Sequence, residues 1–240
     1  MFYPGLADRP IGMLSVVFLV ALLTLAPCPG QAQTVGITGT VRVTTTLTKK
    51  RISVPQVYER AVAIAPPPVG VRDVEAELRR VVVYVDGAKL AARPLRVTMN
   101  QAQRRFDPEV VAVSAGSTVS FPNGDPIFHN VFSLSETKRF DLGNYKEGDT
   151  RLVTFAHPGV VQVHCHLHAN MSGAILVTPN SWFTQPAPSG AFSLPALPPG
   201  HYTVVAWHKT AGFFRREIDV REGQPLNLDF EIPILEGAGH

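Results

Sequence analysis

The stretch Val160–Val177, VVQVHCHLHANMSGAILV, spaces Cys165, His168 and Met171 three residues apart in a loop between two apolar runs. A thiolate, an imidazole and a thioether are soft donors, a set suited to copper that cycles between Cu(I) and Cu(II). A blue-copper plane needs two imidazoles and one thiolate, with a weak axial methionine. His129, in the turn-rich approach Phe121–Val131 (FPNGDPIFHNV), offers the second imidazole from far upstream. Each residue alone has a plainer reading. Cys165 would be a buried filler, Met171 a core residue and His129 a satisfied turn histidine. Taken jointly, at this spacing and between apolar strands, the four point to one copper ion per chain.

Cysteine usage agrees. The chain has two cysteines, Cys28 and Cys165. Arg9, the apolar run Ile11–Leu25 and the small residues Gly30 and Ala32 read as a signal peptide over residues 1–32, with cleavage before Gln33. Cleavage removes Cys28, so Cys165 cannot form an internal disulfide and is a filler, a reactive thiol or a ligand. The expectation is an exported protein, periplasmic or secreted, with no membrane span after cleavage. A net charge of +3 without any basic run argues against a nucleic-acid partner.

The elements that must position these donors are short strands. From Val35 onward β-branched stretches alternate with Gly, Pro, Asn and Asp, and no run keeps helical periodicity over three turns. Strands are expected over 35–43, 80–85, 95–99, 109–113, 117–121, 130–134, 151–155, 160–164 and 173–177. A second cluster is expected over 191–194, 201–208, 213–220 and 225–234. One helical turn is expected near Val74–Leu78, within a connection containing Pro66-Pro67-Pro68, and Asn180–Ser189 reads as a linker. Many short strands with regular turns mean an all-β fold of sandwiches.

The motifs F-x-N-x-D…H-N-V and G-x-V-x-V-x-C-x-x-H-x-x-M, here Phe121–Val131 and Gly159–Met171, resemble those of the cupredoxins, the plastocyanin and amicyanin family. The Cys-x-x-His-x-x-Met spacing is similar to the short loop of amicyanin-like members. More closely, the chain resembles bacterial plastocyanin-like or methylamine-utilisation-like proteins, through Val81–Tyr84, Phe121–Asp125, His129–Ser135, Phe140–Tyr145 and the segment Gly190 to His208. The resemblance implies a Greek-key cupredoxin sandwich over residues 95–179, with His129, Cys165, His168 and Met171 as copper ligands. It further implies that Asn130 ties the ligand loops together, that His168 is the electron portal to a redox partner protein, and that one-electron transfer is the function. Gly190–Ile234, within a C-terminal segment over residues 180–240, resembles the end of a carboxypeptidase-regulatory or transthyretin-like sandwich. Residues 33–94 contain a similar opening strand, so the copper domain is expected as an insertion into a split second sandwich.

Two departures bear on function. Leu167 stands where most cupredoxins carry Pro, and His164 and His166 flank Cys165. His-Cys-His is a hallmark of multicopper oxidases, but the paired His-x-His motifs of their trinuclear cluster are missing: His129, His157, His201, His208 and His240 are isolated singles. Strand alternation predicts that His164 and His166 face away from Cys165. The rival readings are a copper carrier or sensor, a subunit of a copper oxidoreductase with further metal at His164 and His166, and an adhesion module with a decayed site.

Overall fold

The computed structural model describes residues 34–46, 73–87 and 90–235. The expected signal segment 1–32 and the Pro66–Pro68 connection lie outside the described residues.

In chain order the elements begin with β1 (Val35–Thr46), α1 (Val74–Leu78), β2 (Val81–Asp86), β3 (Arg96–Thr98), β4 (Asn100–Ala102), β5 (Arg105–Asp107) and β6 (Val110–Ser114). They continue with β7 (Ser117–Pro122), β8 (His129–Ser135), β9 (Lys138–Tyr145), β10 (Thr150–Phe155), β11 (Gly159–His164) and β12 (Ser172–Thr178). The last are β13 (Phe183–Thr184), β14 (Ala191–Leu197), β15 (Gly200–His208), β16 (Gly212–Val220), β17 (Leu226–Asn227) and β18 (Phe230–Leu235). Among the described residues the protein is all-β apart from the single helical turn, which lies where the sequence predicts it. Asp73 caps that turn, its carboxylate accepting from the Glu75 and Ala76 amides.

Two sandwiches form. The first packs the sheet β10-β7-β3 against the five-stranded sheet β6-β12-β11-β8-β9. Its interior holds Phe121, Phe155, Tyr145, Val163, Ile175 and Met171, all at or near zero exposure, together with Cys165. The β4–β5 hairpin stands beside it and bridges to Asn123 through Gln101. The second packs β14-β1-β17, with β18 also on β1, against β13-β2-β15-β16. Its core takes Ile37, Val83, Leu197, Val204, Phe230 and Ile232. Among the described residues strand β1 therefore pairs only with C-terminal strands: antiparallel with β14, parallel with β17 and β18.

Four strands explain their unusual apolar runs by being buried on both faces. In β2, Val81, Val83 and Val85 enter the second core, while Val82 and Tyr84 face the first sandwich. In β12, Ile175 and Val177 enter the first core, while Ala174 and Leu176 face back. Strands β6 and β15 alternate likewise, with Val110, Ala112, Val205 and Trp207 in the shared layer. A half-buried strand alternates apolar with polar; a strand covered on both sides cannot. With about 1.5–3 kcal/mol for each fully buried aliphatic or aromatic side chain, this middle layer fixes the two sandwiches to one another.

The stretch expected as a linker, Asn180–Ser189, is instead partly structural. Phe183 and Thr184 pair with Tyr84 and Val83, and Trp182 packs on the second core. The Asn180 side chain is fully buried and donates to the Val85 carbonyl at 2.8 Å. Proline and serine content hid an edge strand only two residues long.

Candidate metal centre

His129 opens β8 at the end of a turn that Asn123 builds. The Asn123 amide donates to the Ile127 carbonyl at 2.8 Å and the Tyr145 carbonyl at 3.1 Å, and its oxygen accepts from the Asp125 amide at 3.0 Å. Such side-chain closure of a turn is what asparagine supplies best. Tyr145 lies opposite His129 in the β8–β9 register, so both sides of the turn are fixed. Cys165 follows the last residue of β11. The loop closes because the Cys165 amide donates to Met171 O at 3.3 Å and the Met171 amide to His168 O at 2.9 Å.

These two segments bring His129 Nδ1, Cys165 Sγ and His168 Nδ1 together. The Sγ lies 3.9 Å from the first nitrogen and 3.6 Å from the second. The three potential ligand atoms all fall within 4.8 Å of one another, the one such group among the described residues. His129 is fully buried, Cys165 is 4% exposed, and His168 is partly exposed. The imidazole rings sit 4.7 Å apart, tilted by 60°. Met171 is 1% exposed in the same core cluster as Cys165. A thiolate, two imidazole nitrogens and a thioether fit copper better than any hard, oxygen-seeking cation.

Protonation of the donors is organised by their neighbours. Asp125 Oδ2 lies 2.8 Å from His129 Nε2, which places the ring proton on Nε2 and leaves the Nδ1 lone pair for a metal. The same carboxylate accepts from the Gln103 amide at 2.6 Å and the Arg104 amide at 2.8 Å. Burial pushes the Asp125 carboxyl up, but the Arg104, His129 and Gln103 hydrogen bonds outweigh it and hold it below the ordinary range. His168 is held below the ordinary imidazole range by burial first, then by the charges of His129 and Arg104, against Asp125. The Asn130 amide donates to Cys165 Sγ at 3.4 Å, a bond that stabilises a thiolate. The Asn130 side chain accepts from the His166 amide at 3.4 Å and donates to Asp141 at 2.6 Å, stitching β8 to the ligand loop.

His164 and His166 lie outside the donor group, both gathered on Phe132. The His166 ring stacks on it at 3.7 Å with 3° between planes, and its Nε2 lies 3.4 Å from Asp141. His164 tilts against the same ring at 5.8 Å; burial and then Lys209 lower its tendency to protonate. Sequence reasoning gave Asp125, Asp141, Gln103 and Arg104 no role. Asp125 sat within the quoted Phe121–Asp125 motif, four residues before His129, and that i,i+4 carboxylate was the available signal. Nor did it foresee Lys209 of the second sandwich, whose ammonium donates to Ser172 O at 3.3 Å, Ser172 Oγ at 3.2 Å and Glu109 at 2.6 Å. Ser172 is the residue after Met171, so the second sandwich holds the outgoing end of the ligand loop.

No family model matches the sequence. Solved structures do. The chain is 29% identical to the Cu-containing nitrite reductase (NirK) from Thermus scotoductus SA-01 over 38% of this chain and 24% of that one, with a TM-score of 0.34. It is 22% identical to the novel purple cupredoxin from Nitrosopumilus maritimus over 35% of this chain and 98% of that one, at 0.31. It is 20% identical to the reduced Cu(I) form of a proline-to-glycine mutant of amicyanin, over 40% and 97%, at 0.33. Its structural neighbours are cupredoxins. The chain spans about a quarter of the nitrite reductase's length. TM-scores this low carry no functional argument; the donor geometry carries it.

Proposed function

We propose that the chain is an exported type 1 copper protein that carries single electrons, with His129, Cys165, His168 and Met171 holding one copper ion. The convergence of two imidazole Nδ1 atoms on one buried Cys165 Sγ carries this reading. Copper bound there supplies one-electron chemistry between Cu(I) and Cu(II). The chain's own residues do the rest. Asp125 keeps the His129 proton on Nε2, Asn130 donates to the thiolate, and Phe121, Phe140 and Phe155 pack the sandwich interior around Cys165 against water. Four protein donors leave no position for a substrate, which favours electron carriage over catalysis. His168, partly exposed between Leu167 and Ala169, is the donor through which an electron reaches the surface. Among the described residues no helix is long and apolar enough to cross a membrane.

The test is addition of Cu(II) to the purified protein, followed by visible absorption and EPR. One equivalent should give intense thiolate-to-copper absorption. His129→Ala and His168→Ala should change that spectrum strongly, and His166→Ala should leave it nearly unchanged. A colourless one-to-one complex defeats the type 1 reading. Loss of colour in His166→Ala with retention in His168→Ala would show that the ligand register is wrong by two residues.

A further inference from the structure

The β4–β5 hairpin presents an uncommitted positive charge beside the exposed edge of the metal centre. Its tip residues Gln103 and Arg104 both adopt left-handed backbone conformations, with φ of 54° and 56°. Non-glycine residues hold such angles only where surroundings compensate. Here the compensation is Asp125, which accepts both tip amides and also orients His129. The carboxylate that fixes a metal donor therefore also fixes where Arg104 stands. Asp125 has its own three donors, the Gln103 and Arg104 amides and His129 Nε2. Among the described residues neither Arg104 nor Arg105 has a side-chain hydrogen bond or ion pair, and both are exposed. Gln103, Arg104, Asp125, Pro126 and Ile127 line a shallow groove of ≈ 350 Å³. Phe128, 58% exposed, directly precedes His129 in the chain, and Leu167, 48% exposed, directly precedes His168, whose ring sits 4.7 Å from that of His129.

An exposed apolar patch rimmed by charge marks a protein-binding surface, and the sign of the rim selects the partner. We infer that this face docks an acidic redox protein, with Arg104 as the residue that selects it. Phe128 and Leu167 supply the desolvated centre, and Arg104 meets carboxylates on the partner. The inference rests on the copper reading for its purpose, but the charge arrangement stands without it.

Two probes test it. In the copper(I)-loaded protein, ferricyanide takes one electron, becoming ferrocyanide as Cu(I) becomes Cu(II); tris(phenanthroline)cobalt(III), a trication, takes one electron likewise. Arg104→Glu should slow ferricyanide about fivefold at 0.1 M salt and accelerate the cobalt complex similarly. That figure is for a trivalent ion about 10 Å from the reversed charge, screened by one Debye length. Arg216→Glu on β16 makes the same change in net charge and should alter neither rate. Equal effects of the two variants, or none, overturn the inference. The second probe is a deca-glutamate peptide titrated into labelled protein, copper(I)-loaded and metal-free. Amide shifts should concentrate at 103–105, 126–128 and 167–169, weaken with salt and vanish in Arg104→Glu. Shifts elsewhere, or persistence in the variant, refute the docking face. Failure of the copper reading appears separately, as absence of colour with Cu(II), and the metal-free titration still decides this one.

Discussion

Replacing Asp125 by Asn keeps size and shape while removing one acceptor, and the structure fixes how much that costs. Oδ1 accepts from Gln103 N at 2.6 Å; Oδ2 accepts from Arg104 N at 2.8 Å and faces His129 Nε2 at 2.8 Å. An asparagine has one oxygen and one NH₂, and all three facing groups are donors. Whichever way the amide turns, at least one donor meets another donor. The milder orientation loses the Gln103 bond and removes the charge that strengthens the other two. Losing one charge-assisted bond costs about 1.5–3 kcal/mol, so Asp125→Asn should destabilise the metal-free protein by about 2–3 kcal/mol. Weakening the hold on the His129 proton, now on a neutral acceptor, should also weaken copper binding by up to about 10–100-fold, the range for perturbed partners of ligating histidines. Urea unfolding of the metal-free chain measures the first effect, and competition with a chelator the second. A stability loss below about 0.5 kcal/mol, the low end for a hydrogen bond, with unchanged copper affinity would refute the claim that this carboxylate organises the centre.

Met171→Leu should keep the copper and its colour while raising the reduction potential, because an axial thioether tunes the site without assembling it; loss of the metal on dialysis would count against the assignment. Glu109→Gln should destabilise the protein by about 1–3 kcal/mol, since Glu109 receives the nearly buried Lys209 ammonium and Arg80. Burial raises the Glu109 carboxyl, but Lys209 and Arg80 outweigh it and hold it below the ordinary range. Its ionised form therefore contributes fully above the unfolded value of about 4.3, and the contribution is lost as pH falls through the lower folded value. Unfolding midpoints measured from about pH 6 to about pH 3 should fall less steeply in Glu109→Gln than in the wild type; parallel curves would show that the cluster carries no such linkage.

The strands with continuous apolar runs were legible because burial on both faces leaves no room for polar residues; Val81–Val85 is the clearest case. Strand β9 was not, although Phe140–Tyr145 stood out as a motif. Its side chains alternate between half-buried and exposed along KRFDLGNY, and Gly143 takes φ of 66°, so the segment lacks an apolar stripe. The β4–β5 hairpin was hidden for a related reason: Gln101 is fully buried but polar, and its amide donates to Tyr145 Oη. His129, Cys165 and His168, which the structure gathers, were visible in their types and spacing, since two of them share one loop. Asp125 was opaque in its role, because it gathers groups from residues 103, 104 and 129, a convergence that exists only after the hairpin has folded beside the turn.

The pairing of β1 with strands at the far end of the chain sets an order of events in time. Thr40 donates its amide to Asp229 across 189 residues, and β2 pairs with β15 across more than a hundred. Every strand of the sandwich that holds His129, Cys165 and His168 lies between these partners, from Arg96 to Thr178. On a growing chain its sheets are complete before the host sandwich can close, and the host must bring together its most distant segments last. Contacts of such separation form slowly. Until they do, Ile37, Val81, Val83 and Val85 have no partner core and form the surface most open to aggregation. Closure of the host sandwich, rather than formation of the donor cluster, is then the slow step of folding.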